Sequence, residues 1–169
     1  MYETVRLTEK VLDLFAHLDP YNMLELGRLP DRVCLGSVQR GENGLNDIPA
    51  GLMVCRLMKD ALVIEWIYVD GSCRYQCIGA GLMRRAFEEA QKRGFEDIYA
   101  YIVPTDKRSV ICSGEKEFLK DYYFRLLKPG KTNSALFKKL IPEQYMGADL
   151  YSTDIAGYFE TMAGFIRQA

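Results

Sequence analysis

Histidine is scarce in this sequence, and its cysteines do not have metal-binding spacing. The only histidine is His17, and the five cysteines include no C-x-x-C pair. A zinc or other structural metal site needs clustered Cys and His ligands, and a disulfide framework usually uses an even number of cysteines. We therefore expect reduced thiols and no metal, with His17 in a packing or surface position beside its apolar neighbours in "LFAHLDP".

The sequence also lacks an excess of charge of either sign and any long apolar run. Twenty-two Lys and Arg balance twenty-three Asp and Glu, giving a net charge of −1, so no broad basic field exists to hold nucleic acid. The longest apolar stretch, "ALVIEWIYV", is far shorter than the roughly 20 residues of a membrane span. The start, "MYETVRLTEK", has no signal-peptide pattern. These absences predict a cytoplasmic protein with no membrane or nucleic-acid partner.

What is present is the composition of one ordinary folded domain: 169 residues, 49% of them hydrophobic and 27% charged. β-rich segments bounded by turn residues predict seven strands, at 2–7, 32–40, 48–58, 61–69, 97–103, 124–128 and 134–141. The short turns between the second, third and fourth predict an antiparallel meander.

Helical periodicity predicts helices between the strands. Two short helices follow the first strand, beginning near Thr8 and Asp19, and a longer one covers residues 82–93 and ends at Gly94. The long helix joins two strands as a βαβ unit, which predicts that those strands are parallel. A fourth helix is expected at 115–123. The fold class is therefore mixed α/β, with a mostly antiparallel central sheet of about seven strands flanked by helices.

The loop "RYQCIGAGLM", residues 74–83, joins a predicted strand to the long helix. Such a loop offers unpaired backbone N–H groups at the positive end of the helix dipole, and its small residues let an anion approach. It matches neither the Walker pattern nor the dinucleotide fingerprint. By itself, it fits either a phosphate-binding loop or an ordinary tight turn.

The surrounding segment resembles a known family. "IEWIYVDGSCRYQCIGAGLMRRAFEEAQKRGF" is similar to the central motif of the GCN5-related N-acetyltransferase (GNAT) family, in which a strand ending in Val precedes R-x-x-G-x-G/A and a helix. Val69 and Arg74 match the motif, Cys77 stands at its first glycine, and Gly79 stands at the second. The order of segments over residues 2–141 is also that of the family, and the tail lies outside the resemblance. We therefore expect a GNAT domain at 1–141 and a C-terminal helical extension at 142–169, packed on the domain or at a homodimer contact.

The resemblance implies acyl-coenzyme A as co-substrate and an acyl-CoA-binding βαβ core. The pantetheine arm would lie along the strand at Ile67, Tyr68 and Val69. The pyrophosphate would bind the backbone of a loop made of Arg74, Tyr75, Gln76, Cys77, Ile78, Gly79 and Ala80. To donate its N–H without strain, Cys77 is expected to have a negative φ.

Acetyl transfer to an amine needs a neutral amine, so a base is useful. Glu65 interrupts "ALVIEWIYV", and strand alternation places Val63, Ile67 and Val69 on its face, with Trp66 and Tyr68 on the other. Many family members carry a Glu at this point, which makes Glu65 the candidate base. The alternative is a structural ion pair or an exposed patch of the sheet.

The acid that protonates the departing thiolate is usually a tyrosine in this family, and Leu119 stands at that position. Tyr122 and Tyr123 lie three and four residues further on, and either could substitute only if the helix is shifted; Tyr122 is the candidate acid. The alternative role for both side chains is aromatic packing. Cys112 falls where family members often carry an Asn that contacts the cofactor. A thiolate is a tolerable leaving group, so these departures predict a slower enzyme.

These expectations define three alternatives. The first is an N-acyltransferase that moves an acetyl or short acyl group from acyl-coenzyme A to a primary amine of a small molecule or protein, by direct attack in a ternary complex. The second is a catalytically weak or inactive acyl-CoA-binding module, suggested by Leu119, Cys77 and Cys112. The third is an α/β domain with no coenzyme A site.

Overall fold

One seven-stranded sheet forms the centre of the protein. The structure, a computed structural model, describes residues 1–19, 22–41, 47–74, 76–102 and 116–168, the last four by backbone alone. The strand order is β1-β2-β3-β4-β5-β7-β6. Only β4 and β5 are parallel, and the other neighbouring pairs are antiparallel. The predicted mixed, mostly antiparallel fold is confirmed.

The first four strands are the predicted ones. They are β1 (Tyr2–Arg6), β2 (Arg32–Gln39), β3 (Ile48–Leu57) and β4 (Ala61–Val69). β2, β3 and β4 form the expected antiparallel meander, and β1 adds to its outer edge. The predicted hairpin loop between β2 and β3 falls mostly outside the described residues.

The long helix α3 (Ile78–Lys92) covers one face of the sheet and leads into β5 (Asp97–Ile102). Its buried stripe includes Leu82, Met83, Ala86 and Phe87, which join the main core. Gly94 follows the helix with a φ of +70°, and the Phe95 N–H donates to the Ala90 carbonyl. Glycine ends a helix in this way at little cost, as its place in the sequence predicted.

Short helices cover part of the opposite face. They are α1 (Glu9–Leu12), which continues as a 3-10 helix (Asp13–Leu18), and α2 (Leu24–Gly27). Phe15, Leu18 and Leu24 pack there against the sheet. The Asp19 carboxylate accepts hydrogen bonds from the Met23 and Leu24 N–H groups, both at 2.7 Å. The predicted start at Asp19 is nevertheless wrong, because α2 begins at Leu24 with Met23 as its N-cap residue.

The last third of the chain differs from the expectation in one strand. β6 (Arg125–Leu127) forms as predicted, but residues 134–141, expected as a strand, contain the helix α5 (Ser134–Leu140). The seventh strand is instead β7 (Asp149–Asp154), which lies between β5 and β6. The expected boundary at residue 141 therefore divides the sheet, because part of the 142–169 segment belongs to it.

The remaining helices pack on the α3 side. Residues 116–121 are helical, here called α4, and α6 (Ile155–Gln168) ends the described chain. The Tyr158 ring stacks on Phe87 of α3 with centroids 3.8 Å apart. This contact packs part of the apolar stripe of the tail against the domain, whereas Met162 of the same stripe is exposed. Within the described ranges, no helix combines the length and the apolar character that crossing a membrane would require.

Candidate active site

The sheet opens between its two parallel strands. β4 and β5 pair from Ala61 with Asp97 to Ile64 with Ala100, and β4 then continues to Val69 without a further pair to β5 among the residues that the structure describes. At this point β4 also has a bulge, since Ile64 pairs with Cys55 of β3 and Trp66 pairs with Val54. Glu65 is the extra residue, and a bulge bends and twists the strand that carries it.

The bulge changes which side chains share a face. Ile67 and Val69 pack in the α3 core, as Ile64 does, whereas Trp66 and Tyr68 pack with α1 and α2 on the other face. The expected alternation, with Ile67 and Val69 on the face of Glu65, is therefore wrong beyond the bulge. An extra residue reverses the alternation, and a single sequence does not mark where one is inserted.

Glu65 lies in a buried ionic network. Its side chain is fully buried, and the Arg32 Nε donates to its Oε2 at 2.6 Å. The Arg56 guanidinium pairs with Oε1 at 3.4 Å, and the Tyr101 hydroxyl donates to the same oxygen at 3.3 Å. Of the two roles left open for Glu65, this geometry favours the structural ion pair, because both carboxylate oxygens are occupied and neither faces solvent.

The loop before α3 differs from the expectation at Cys77. This residue has a φ of +59° and a ψ of 17°, the left-handed conformation, so the expected negative φ is wrong. Glycine adopts this conformation easily, whereas an L-residue with a Cβ pays about 1 kcal/mol or more. The motif position thus keeps a backbone suited to glycine while carrying a cysteine, and Cys77 is exposed.

The left-handed Cys77 stands at the N-terminus of α3, where several backbone N–H groups have no partner inside the helix. The first helical hydrogen bond runs from the Gly81 N–H to the Cys77 carbonyl, so the N–H groups of Ile78, Gly79 and Ala80 are not used inside the helix. A left-handed residue followed by right-handed ones forms a concave group of N–H donors suited to an anion. The loop before α3 therefore has the backbone arrangement that an anion would need.

The side chains of the loop vary in exposure. Arg74 and Gln76 are exposed, Ile78 is buried in the core, and Tyr75 lies outside the described residues. Gly79 serves close packing, because a Cβ there would lie 2.9 Å from the Phe118 ring of α4. One side of this glycine is thus filled by an aromatic ring.

Tyr122 lies beside the loop. It is half-buried, and the centroid of its ring lies 5.0 Å from the centroid of the Phe118 ring. Burial raises the pKa of Tyr122 to about 12, and nearby groups, among them Tyr158, Asp121 and Cys77, contribute to the rise. Leu119 is buried in the core, so it takes no part in the chemistry. Cys112 lies outside the described residues.

Sequence reasoning missed the partners of Glu65. Arg32, Arg56 and Tyr101 come from three different strands, and their spacing along the chain contains no motif. The only available signal was indirect: a carboxylate inside an apolar strand is costly unless cationic partners accompany it. Their identity requires the strand pairing.

A cavity of about 340 Å³ lies near β6, α5 and β7, lined by residues such as Leu127, Phe137 and Met146, and it contains none of the predicted site residues. In the part of the chain that the structure describes, no three His, Cys, Asp or Glu side chains group as metal ligands would.

A known family model matches the part of the chain that contains the loop before α3. The model of the acetyltransferase (GNAT) family matches residues 6–112, a range that runs from the end of β1 past β5. A search of curated proteins by sequence found no significant match.

Solved structures share the fold at low sequence identity. The ribosomal-protein-S18-alanine N-acetyltransferase from Escherichia coli is 14% identical with a TM-score of 0.65, covering 92% of this chain and 94% of its own. A GNAT-family acetyltransferase from Staphylococcus aureus Mu50 is 11% identical, with a TM-score of 0.66 over 92% and 99% of the two chains. A GNAT-family acetyltransferase from Elizabethkingia anophelis, solved with acetyl-CoA bound, is 16% identical, with a TM-score of 0.61 over 90% and 97%. At these identities the likeness shows the fold.

Proposed function

The chain belongs to the GNAT family of acetyltransferases, and we propose that it transfers an acetyl or other short acyl group from acyl-coenzyme A to a primary amine of a small molecule or protein. One observation carries this proposal. β4 continues beyond its last pair with β5, Ile64 with Ala100, as far as Val69, close to the N-terminus of α3. An open strand edge beside a helix N-terminus suits an extended amide-bearing arm attached to a pyrophosphate.

In this proposal the residues have separate roles. The edge of Ile67, Tyr68 and Val69 on the β5 side, called here the free edge because none of the described residues pairs with it, pairs with the amides of the pantetheine arm. The loop from Arg74 to Ala80 holds the pyrophosphate through backbone N–H groups. The exposed Arg74 adds positive charge. The neutral acceptor amine then attacks the thioester carbonyl directly in a ternary complex, and the new C–N bond replaces the C–S bond. Coenzyme A leaves as the thiolate, and the proton of the amine passes to water.

Tyr122 is the proposed donor to the departing sulfur. A phenol with a pKa of about 12 remains protonated throughout the pH range of an assay, so it can always donate a hydrogen bond. Replacing Tyr122 with Phe is expected to lower kcat about tenfold without changing coenzyme A affinity. The matched control is Tyr123→Phe, because Tyr123 is the exposed neighbour.

Two measurements test the proposal. Calorimetry with coenzyme A should show binding that is much weaker in Arg74→Glu, because the substitution reverses the charge beside the pyrophosphate. A thiol-release assay with acetyl-coenzyme A and a broad panel of amines should then show turnover. If coenzyme A does not bind, both the enzyme and the binding module are excluded.

A second candidate is a coenzyme A-binding module without useful turnover. It is favoured by Leu119, which is buried in the core at the position where the family usually has a tyrosine. Tight binding of acetyl-coenzyme A with no turnover of any amine would support it over the enzyme.

A further inference from the structure

Glu65 joins four strands and a helix at the point where the sheet opens. Its partners Arg32, Arg56 and Tyr101 lie on β2, β3 and β5. Arg56 also donates through Nη2 to the Leu140 carbonyl at the end of α5. Arg32 is bound in turn by Asp31 at 2.5 Å, so two guanidinium groups face two carboxylates.

The Tyr101–Glu65 hydrogen bond crosses the opening between β4 and β5. The last backbone pair of these strands is Ile64 with Ala100, and Glu65 and Tyr101 are the next residue on each strand. Their side chains meet at 3.3 Å just where the backbones stop pairing. This bond therefore links the two strands beyond their backbone ladder.

The network holds Glu65 rigidly. A guanidinium fork on one side and a phenol on the other restrict the carboxylate, and the Arg32 and Arg56 side chains are themselves largely buried. Glu65 is also the bulged residue of β4, so fixing its side chain fixes the bend of the strand that follows it.

We propose that Glu65 and Tyr101 are positioning residues that set the spacing of β4 from β5, and so determine whether the free edge at 66–69 can pair with the pantetheine arm. This inference rests on the proposed function. It assigns Glu65 a role in acyl-coenzyme A binding that requires no proton transfer.

The test compares two ligands that share the nucleotide but differ in the arm. Coenzyme A has the arm, and adenosine 3′,5′-bisphosphate lacks it and would occupy only the loop before α3. Calorimetry on Tyr101→Phe should show coenzyme A affinity about tenfold lower and adenosine 3′,5′-bisphosphate affinity unchanged. A residue that only stabilises the fold would not separate the two ligands.

Tyr99→Phe is the matched control. Tyr99 lies on the same strand and face, and its hydroxyl also contacts a carboxylate, that of Asp97 at 3.5 Å, but it lies two residues before Tyr101 within the paired part of β5. It should bind both ligands normally. Glu65→Asp, which keeps the charge and shortens the reach to Tyr101, should reproduce the effect of Tyr101→Phe.

The outcomes separate this inference from the proposed function. If the unsubstituted protein binds neither ligand, the proposed function fails and this inference with it. If it binds coenzyme A but Tyr101→Phe binds both ligands normally, or loses both equally, only the positioning role is overturned.

Discussion

Cys77, at the start of α3, has a backbone conformation that costs a non-glycine residue free energy. Cys77→Gly should therefore raise the free energy of unfolding by about 0.5–1 kcal/mol, since the relief of strain exceeds the added entropy of the unfolded chain. Urea denaturation would measure the difference. Cys77→Ala, which removes the thiol but keeps the Cβ, should show no such gain; an equal gain would assign the effect to the thiol.

Glu65 has a carboxylate buried inside the sheet and paired with two arginines. Glu65→Gln leaves the buried Arg32 and Arg56 guanidinium groups without their carboxylate, and removing one partner of such a network costs about 3 kcal/mol. The same substitution at Glu88, which is paired with Arg84 on the helix surface, should cost less than about 0.5 kcal/mol. Comparable losses in the two variants would mean that water reaches the network.

At the scale of elements, α3 and α4 end in the same hydrogen-bond pattern with different residues. The Phe124 N–H donates to the Leu119 carbonyl after α4, as the Phe95 N–H donates to Ala90 after α3. The left-handed residue is Gly94 after α3 but Tyr123, with a φ of +63°, after α4.

Tyr123→Gly should consequently stabilise the protein by about 1 kcal/mol, measured as the free energy of unfolding. The ring is exposed, so its removal loses little packing. Tyr123→Ala keeps the unfavourable φ and serves as the control. A glycine variant no more stable than the alanine variant would contradict the assignment.

The pair of strands β5 and β7 places two like charges opposite each other. Asp97 faces Asp154 in the register, and burial, with added repulsion from Glu96 and Asp154, raises the pKa of Asp97. A raised pKa in the folded state means that stability falls as the pH rises through it. Asp154 also accepts the Gly157 N–H at the start of α6, so Asp97 is the dispensable partner.

Asp97→Asn should therefore stabilise the protein at pH 7 by about 0.5 kcal/mol. The gain should vanish near pH 3, where the Asp97 carboxyl group, whose pKa is raised, is protonated. Melting temperatures across that range would show it, and a gain that persists at pH 3 would rule out the charge repulsion.

At the scale of the whole molecule, the sequence predicted most elements because their periodicity was clear, but it did not predict those that depend on long-range pairing. The prediction of a strand at 134–141 was wrong because the spacing of Leu136, Phe137, Leu140 and Ile141 fits a helix as well as a buried strand. The loop before α3 was located from its motif, whereas the bulge at Glu65 and its two arginines follow only from the register of β3 with β4. Local sequence patterns were enough to predict where the candidate site residues lie along the chain. The geometry of these residues depends on tertiary contacts, which a single sequence does not show.

The position of β7 has a consequence for synthesis on the ribosome. β5 and β6 are both made before β7, yet each pairs with β7 and they do not pair with each other in the finished order. A nascent chain that has emerged only to the end of β6 therefore presents the unpaired edge of β5, which can pair wrongly with other chains. β7 can take its place between β5 and β6 only after Asp154 has left the exit tunnel. The part of the sheet formed by β5, β7 and β6 must therefore fold largely after those strands have been translated.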